Sequence, residues 1–365
     1  MKILAFGVNK KQISFFEKLK KNSKCKIDIL YSKTVFSFSP VFSELKKANL
    51  SPAIELRVKD FYAKYDVKLP EWLVRGYYKF WAVINFFRYY PKITSKYKKI
   101  ILWNGFMFRQ HIAKEIARLK GVEAVFVESA FLPGRIVVDK KGVNFYNSVP
   151  RDREFFENYK NDKPLPKELI PRKPRNAKKF AALKKEPLPK RFLFVPFQVD
   201  YDTQILLFSP WIKNMEELFF VMKNIADELK INIVFKEHPS SRKEYPHLHK
   251  IAKESEFLQF ANAYPTQELI EKSEAVVTVN SSVGVESLLF DKKVITLGKA
   301  FYNIEGIVKH AGSKKELKEI LENLENWKVD KKLIENFLKY LYWDYLIEGD
   351  FKEFDVEKVE EILCE

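Results

Sequence analysis

At 365 residues, with 46% hydrophobic and 15% aromatic content, the chain is long enough for two globular domains with full cores, which excludes a disordered or low-complexity protein. Its only cysteines, Cys25 and Cys364, form no CxxC pair or Cys/His cluster, so neither a disulfide framework nor a structural zinc site is expected, and the expected compartment is the reducing cytosol. The net charge of +17 is uneven: residues 1–190 carry 42 Lys and Arg against 17 Asp and Glu, a balance of +25, whereas residues 191–365 carry 23 against 31, a balance of −8. A half this basic suits nucleic acid, anionic lipid or a polyanionic glycan, or is the Lys-rich solvated surface of a thermophile's protein.

The chain opens as an α/β protein, with a strand at MKILAF, a helix through Gln12–Lys20 and a second strand at KIDILYS. Its start lacks a secretory h-region and cleavage site, and no apolar run reaches about 18 residues, so neither export nor a membrane span is expected. Gly7 stands in FGVNKK, outside any GxGxxG fingerprint, so no dinucleotide cofactor is expected. Residues 71–99 then interleave aromatic side chains, Trp72 and Trp81 among them, with Arg75, Lys79, Arg88 and Lys92. Such a helix lies at a bilayer interface, rings at headgroup level and cations on lipid phosphates, or is buried with its basic ends reaching outward. No RRM, KH or helix-turn-helix pattern accompanies it, and no nucleic-acid partner is expected.

KKIILWNGFMFRQHIAKEIARLKG reads as a strand, a polar Asn104-Gly105 break and an amphipathic helix closed by Gly121. The following strand, VEAVFV, ends on Glu128, a position for an acid/base carboxylate or for a simple loop cap. Residues 151–190 become rich in Pro, Lys and Arg, and an interdomain linker is expected in their latter part.

The second half carries three apolar runs, each ending on polar residues: Gln198, Asp202 and Gln204; Lys236, Glu237 and His238; Asn280, Ser281 and Ser282. This is the pattern of buried parallel strands whose carboxyl ends meet at a ligand crevice, with helical periodicity over residues 211–230 and 283–290 between them. Asp200 and Asp202 would share a face on a strand but need not just beyond its end. Pro239 stops the second strand after His238. The small polar residues of NSSVGVESLL lead into a helix start suited to phosphate, with Gly284 allowing close approach and Glu286 placed to bond a ribose hydroxyl or cap the helix. Tyr302, Asn303 and Gly306 are expected to close the site. His247 and His249, in a helical surface section, are read as non-ligands.

The segments VPFQVDYDTQILLFSPW, KEHP, NSSVGVESLLFDKKVITLG and VESAFLPGRIVVDKKGVNFYNSVPRD together resemble the capsule polysaccharide synthesis family of bacterial β-Kdo transferases. The resemblance implies a GT-B fold, two Rossmann-like domains facing across a cleft. It places an acceptor-side domain at 1–165, a linker at 166–190, a nucleotide-sugar domain at 191–330 and helices of 331–365 crossing back to the first domain. It implies transfer of Kdo from CMP-Kdo with retention, with Asp202 as nucleophile, Glu128 as acid/base group and His238 with Pro239 at the donor site. Gln198 and Gln204 would bond the sugar, Lys236 would offset donor charge, and Asn280, Ser281 and Ser282 would form the nucleotide-phosphate loop. A single module of this length suits the initiating type, whose acceptor is a phosphatidylglycerol-type lipid; Trp72, Arg75, Lys79, Trp81 and Arg88 would face that acceptor and the anionic inner membrane surface. The expected location is cytoplasmic and peripheral to that membrane, with other capsule-assembly proteins as further partners. No obligatory metal or cofactor is expected. SAFLPG follows Glu128 where the resemblance implies an Asn-Gly pair. A GT-B transferase for another nucleotide sugar, a β-Kdo transferase extending an existing Kdo-lipid, and a non-catalytic binder are the alternatives.

Overall fold

The computed structural model describes residues 1–65, 67–166, 180 and 182–364. Among the described residues there are twelve strands: β1 (Lys2–Gly7), β2 (Lys26–Tyr31), β3 (Lys99–Trp103), β4 (Glu123–Ser129), β5 (Arg135–Asp139), β6 (Leu193–Pro196), β7 (Ile233–Lys236), β8 (Leu258–Phe260), β9 (Ala275–Thr278), β10 (Lys293–Thr296), β11 (Lys309–His310) and β12 (Ile347–Glu348). They form two six-stranded sheets in two compact units. The first unit comprises residues 1–130, 134–148 and 345–365; the second comprises 131–133 and 149–344.

In the second unit the sheet order is β11-β10-β9-β6-β7-β8, every pair parallel. Counted along the chain this is the doubly wound order in which the winding reverses once, here between β6 and β9. Both faces of the sheet are covered: Leu193–Pro196 and Ala275–Thr278 are buried throughout, as continuous apolar runs in a parallel sheet should be. Between them the helix Met215–Leu229 starts where Asn214 accepts from the Glu217 amide (2.8 Å) and stops at Lys230, whose φ of 54° lies in the left-handed region. It buries Leu218, Phe219, Met222 and Ile225 against β6 and β7.

In the first unit β2-β1-β3-β4 are parallel, with the reversal between β1 and β3, and β5 and β12 extend the sheet antiparallel. The last two elements of the chain, β12 and the helix Val356–Cys364, belong to this unit, and Ile347, Val359 and Leu363 enter its core. Buried Asp139, at the end of β5, fastens the return: it accepts from Tyr345 Oη (2.7 Å), Ser148 N and Oγ (2.7 and 2.8 Å), and the amides of Lys141 and Gly142 (2.7 and 3.2 Å).

The unit limits differ from the sequence expectation at three places, the shortest being residues 131–133, expected with the first domain and clustered with the second. Residues 149–165 were expected with the first domain but cluster with the second, and so do residues 331–344, expected among the returning helices. The two stretches hold each other: the helix Lys331–Lys339 packs Phe337 edge-on against Phe156 of the helix Arg153–Asn158 (5.2 Å), and Asn336 Nδ2 donates to the Phe156 carbonyl (2.8 Å). Most of the expected linker, residues 167–179 and 181, lies outside the described residues. The two cysteines, uninformative by spacing, do meet: a Cys25 sulfur, a Cys364 sulfur and a Glu360 carboxylate oxygen all lie within 4.8 Å of one another.

Candidate active site

The reversal between β6 and β9 is where a parallel sheet of this order opens a crevice for ligand. Here two loops leave adjacent strand ends in opposite directions, and buried Gln198 and Asn280 tie them together. Gln198 Nε2 donates to Asn280 Oδ1 (3.0 Å), and the Asn280 amide donates back to Gln198 Oε1 (3.2 Å). Asn280 Nδ2 then reaches the Gln204 carbonyl (3.0 Å). Both side chains, expected on the donor, are thereby engaged with the loops themselves, and their role is to fix where the loops stand.

Asp202 sits on the loop they fix. It is the N-cap of the helix Thr203–Phe208, accepting from the Gln204 amide (2.9 Å) and Thr203 Oγ1 (3.4 Å), both at Oδ1. Oδ2 accepts no hydrogen bond from the described residues, and the residue is solvent-accessible. Enough protein surrounds the carboxyl that desolvation pushes it above the ordinary aspartate range, with the two cap bonds pulling the other way. Accessibility and desolvation describe different things here: solvent touches the group, but protein occupies much of the volume around it. Asp200, two residues earlier, is buried and differently employed. It accepts from the Met215 amide (2.7 Å), Tyr245 Oη (3.1 Å) and Lys243 Nζ (3.2 Å), anchoring the start of the helix Met215–Leu229.

At the end of β7 the three predicted residues diverge. Lys236 Nζ donates to the Asn262 and Tyr264 carbonyls (2.8 and 2.6 Å), and desolvation lowers its ammonium to about 8, so it is committed to backbone where the sequence suggested donor charge. Buried Glu237 meets His249 Nε2 at 2.6 Å, and the His249 ring stacks on Phe260 (4.0 Å). His249 is therefore half-buried on the Glu237 side of its helix; a two-residue spacing to His247 carried no sign of it. His238 stands in a turn closed by the Ser241 amide on its carbonyl (3.0 Å), with Pro239 at the position whose φ suits it. The Ser240 amide donates to His238 Nδ1 (3.1 Å), so the neutral ring carries its proton on Nε2 and can donate there.

At the end of β9, Ser281 caps the two-turn helix Ser282–Leu288 by accepting from the Val283 amide (3.2 Å), and the Gly284 amide returns to the Ser281 carbonyl (3.0 Å). Two amides of the expected phosphate cradle are thus used within the turn, and the loop offers the Ser281 hydroxyl as a donor. Ser282 Oγ bonds Glu286 Oε1 one turn on (3.3 Å). Gly284 is needed for a different approach from the one expected: a Cβ there would stand 2.5 Å from the hydroxyl of Tyr302, which lies beneath the loop and donates to the Ser281 carbonyl (2.6 Å). Gly306 (φ 84°) packs close to Arg153 and Leu333.

In the first unit the carboxyl ends of β3 and β4 meet. Asn104 and Gly105 both have positive φ (66° and 82°), and the Asn104 side chain bonds Glu128, which also accepts from Trp103 Nε1 (3.2 Å). An Asn-Gly pair does stand beside Glu128, supplied by the neighbouring strand. The segment expected at the membrane is the helix Glu71–Tyr89, with Trp72, Lys79 and Trp81 exposed. Its two arginines are used internally. Arg75 pairs with Glu55 and Glu71, and Arg88 donates to the carbonyls of Val35 (2.6 Å) and Ser32 (3.4 Å). Among the described residues no helix is long and apolar enough to cross a membrane.

Two Rossmann-like units, one of them wholly parallel with polar loops gathered at its reversal, define a protein of GT-B fold. Its family is that of the capsule polysaccharide biosynthesis proteins, to which the chain belongs: it matches them over residues 98–183 and 172–352. It is 35% identical over 262 residues to Protein FixF of Sinorhizobium fredii, covering 70% of this chain and 61% of that one. It is 26% identical to the capsule polysaccharide export protein KpsS of Escherichia coli, covering 53% and 65%. The aligned portions thus span less than two thirds of these relatives' lengths. Among solved structures, the β-Kdo 2,7 transferase of Thermosulfurimonas dismutans KpsC superposes over the whole of both chains with a TM-score of 0.51 at 14% identity, a likeness of fold.

Proposed function

We propose that the chain is a retaining β-Kdo glycosyltransferase that moves Kdo from CMP-Kdo to a phosphatidylglycerol-type lipid at the inner face of the cytoplasmic membrane, starting the linker of a capsular polysaccharide. One observation carries the reading: at the reversal of the parallel sheet, Asp202 spends Oδ1 on its helix cap, while Oδ2 takes no part in that cap and the residue is accessible. Retention by double displacement uses such a carboxylate as its nucleophile. Oδ2 bonds to the anomeric carbon of Kdo while the bond from that carbon to the phosphate oxygen breaks, and CMP departs with the electron pair. An acceptor hydroxyl then bonds to the same carbon from the vacated side, its proton passing to Glu128, as the aspartyl ester bond breaks and Asp202 is regenerated.

Two groups on either side of the Asp202 loop support the donor. The Ser281 hydroxyl, after β9, and the His238 ring, after β7, are polar groups suited to the phosphate and carboxylate oxygens of CMP-Kdo. Gln198, Asn280 and Gln204 hold the Asp202 loop against the Ser281 loop. No step is assigned to a metal, so turnover is expected to survive EDTA.

The test is incubation with CMP-Kdo and a fluorescent lysophosphatidylglycerol, following CMP release and product mass for the wild type and Asp202→Asn. One added Kdo per lipid, absent in the variant, is expected. Full turnover by Asp202→Asn removes the nucleophile assignment, and transfer from a different nucleotide sugar alone removes the donor.

A further inference from the structure

The outer face of the helix Glu71–Tyr89 continues beyond the helix. Residues seven apart on a helix fall near one azimuth, so Leu73, Phe80 and Phe87 make a stripe about 21 Å long. The opposite side, with Val74, Ala82, Asn85 and Tyr89, is buried in the first unit, so the helix lies flat along it. Leu73 and Phe80 are exposed, as are Trp72 (71%) and Tyr77 beside them. Phe87 is buried although it lies on the same outward stripe, because Phe38 and Phe42 cover it edge-on at 5.6 and 5.1 Å, and the Ser39 amide binds the Phe87 carbonyl (3.0 Å). Those covering rings are themselves more than half exposed, and Phe36 next to them is 90% exposed. The segment 36–42 therefore extends the apolar stripe instead of ending it.

The surroundings are basic. Residues 31–99 carry 14 Lys and Arg against 5 Asp and Glu, a balance of +9. With Arg75 and Arg88 held internally, the cations left outward around the stripe are lysines, among them Lys33, Lys68, Lys79 and Lys92. A second copy of the chain would bring the same positive charge against itself, whereas an anionic lipid surface complements it.

We propose that residues 36–42 and the outer stripe of the helix Glu71–Tyr89 form one docking face for an anionic phospholipid bilayer, the helix parallel to the membrane plane. Phe36, Phe80 and Trp72 enter the headgroup region and the lysines meet lipid phosphates. The inference rests on the reading of a membrane-lipid acceptor and adds the surface that brings the chain to it.

The test is flotation of the full chain, without nucleotide donor, on vesicles of phosphatidylglycerol with phosphatidylcholine and on phosphatidylcholine alone. Binding is expected on the anionic vesicles only, to weaken as salt is raised, and to fall at least about ten-fold in Phe36→Ser/Trp72→Ser/Phe80→Ser. Because all three side chains are exposed, the melting temperature should not move. Lys79→Glu/Lys92→Glu, which leaves the apolar stripe intact, should weaken binding at low salt. Wild-type levels of binding in the triple variant overturn the proposal, as does wild-type self-association in sedimentation that the triple variant abolishes. Docking without Kdo transfer would retain this inference and defeat the function above; transfer to a soluble lyso-lipid without docking would do the reverse.

Discussion

The strand ends of the second unit and the outer face of the helix Glu71–Tyr89 in the first use their side chains in opposite senses. At the strand ends, polar groups that look like ligand contacts in the sequence are mostly turned on the protein: Gln198 on Asn280, Asp200 on Met215 and Tyr245, Lys236 on two carbonyls. On the helix, apolar groups that look like core are turned on solvent. Buried polar groups need partners, so a crevice built at strand ends must be lined by a bonded scaffold from which only a few groups emerge. An exposed aromatic stripe has no such internal account, and its explanation lies outside the chain.

The largest expected effect tests whether Asp202 is the group that emerges. Asp202→Asn keeps an N-cap residue and removes the charge. Transfer should fall about a thousand-fold or more, measured as product mass over time. Stability should move the other way. A carboxyl raised on folding binds its proton more tightly in the folded chain, so its contribution to stability falls as pH rises from the unfolded value through the folded one. At pH 7 the variant should melt no lower than the wild type, and the acid limb of the wild-type pH–rate profile should lie above the ordinary aspartate range. A clear drop in melting temperature would make Asp202 part of the scaffold.

Asp200 tests the other side of the comparison. Asp200→Ala leaves the Met215 amide and the Tyr245 hydroxyl without their acceptor in a buried place, a cost of about 3–5 kcal/mol in denaturant unfolding. Gln198→Ala should cost about 2 kcal/mol by the same measurement, since Asn280 loses its two bonds to Gln198 and keeps only those from Nδ2 to the Gln204 and Phe208 carbonyls. If either variant instead unfolds like the wild type while raising the KM for donor, its side chain belongs to the ligand.

Much of this was legible beforehand, for physical reasons. Short apolar runs ending in polar clusters have the pattern of buried parallel strands, and four segments in order carried the family. Direction was not legible. Whether Lys236 points at a ligand or at the Asn262 carbonyl depends on where β8 ends, some 25 residues on, and no local pattern encodes that. Gly284 was read as making room for phosphate; the room is filled by Tyr302, 18 positions away. Cys25 and Cys364 were unrelated in sequence because the chain's last helix returns to the first sheet.

The smallest effect sharpens the comparison at the helix. Arg75 and Arg88 both sat in a basic, aromatic segment that suggested lipid phosphates, and the structure separates them. Arg75 is partly exposed and its charge is spent on Glu55 and Glu71, an arrangement worth at most about 0.5 kcal/mol once solvent screening is counted. Arg88 is half-buried and satisfies the Val35 carbonyl through two nitrogens, Nε at 3.0 Å and a terminal one at 2.6 Å, just ahead of Phe36. Arg75→Gln should therefore leave both the denaturation midpoint and vesicle binding unchanged. Arg88→Gln should cost about 1–2 kcal/mol and, by loosening the segment that presents Phe36 and Phe38, weaken vesicle binding although its own charge never reaches lipid. Arg88→Lys separates the two explanations: it keeps the charge and loses the forked geometry, so binding that stays weak points to presentation of the aromatic segment, and binding restored in full points to charge.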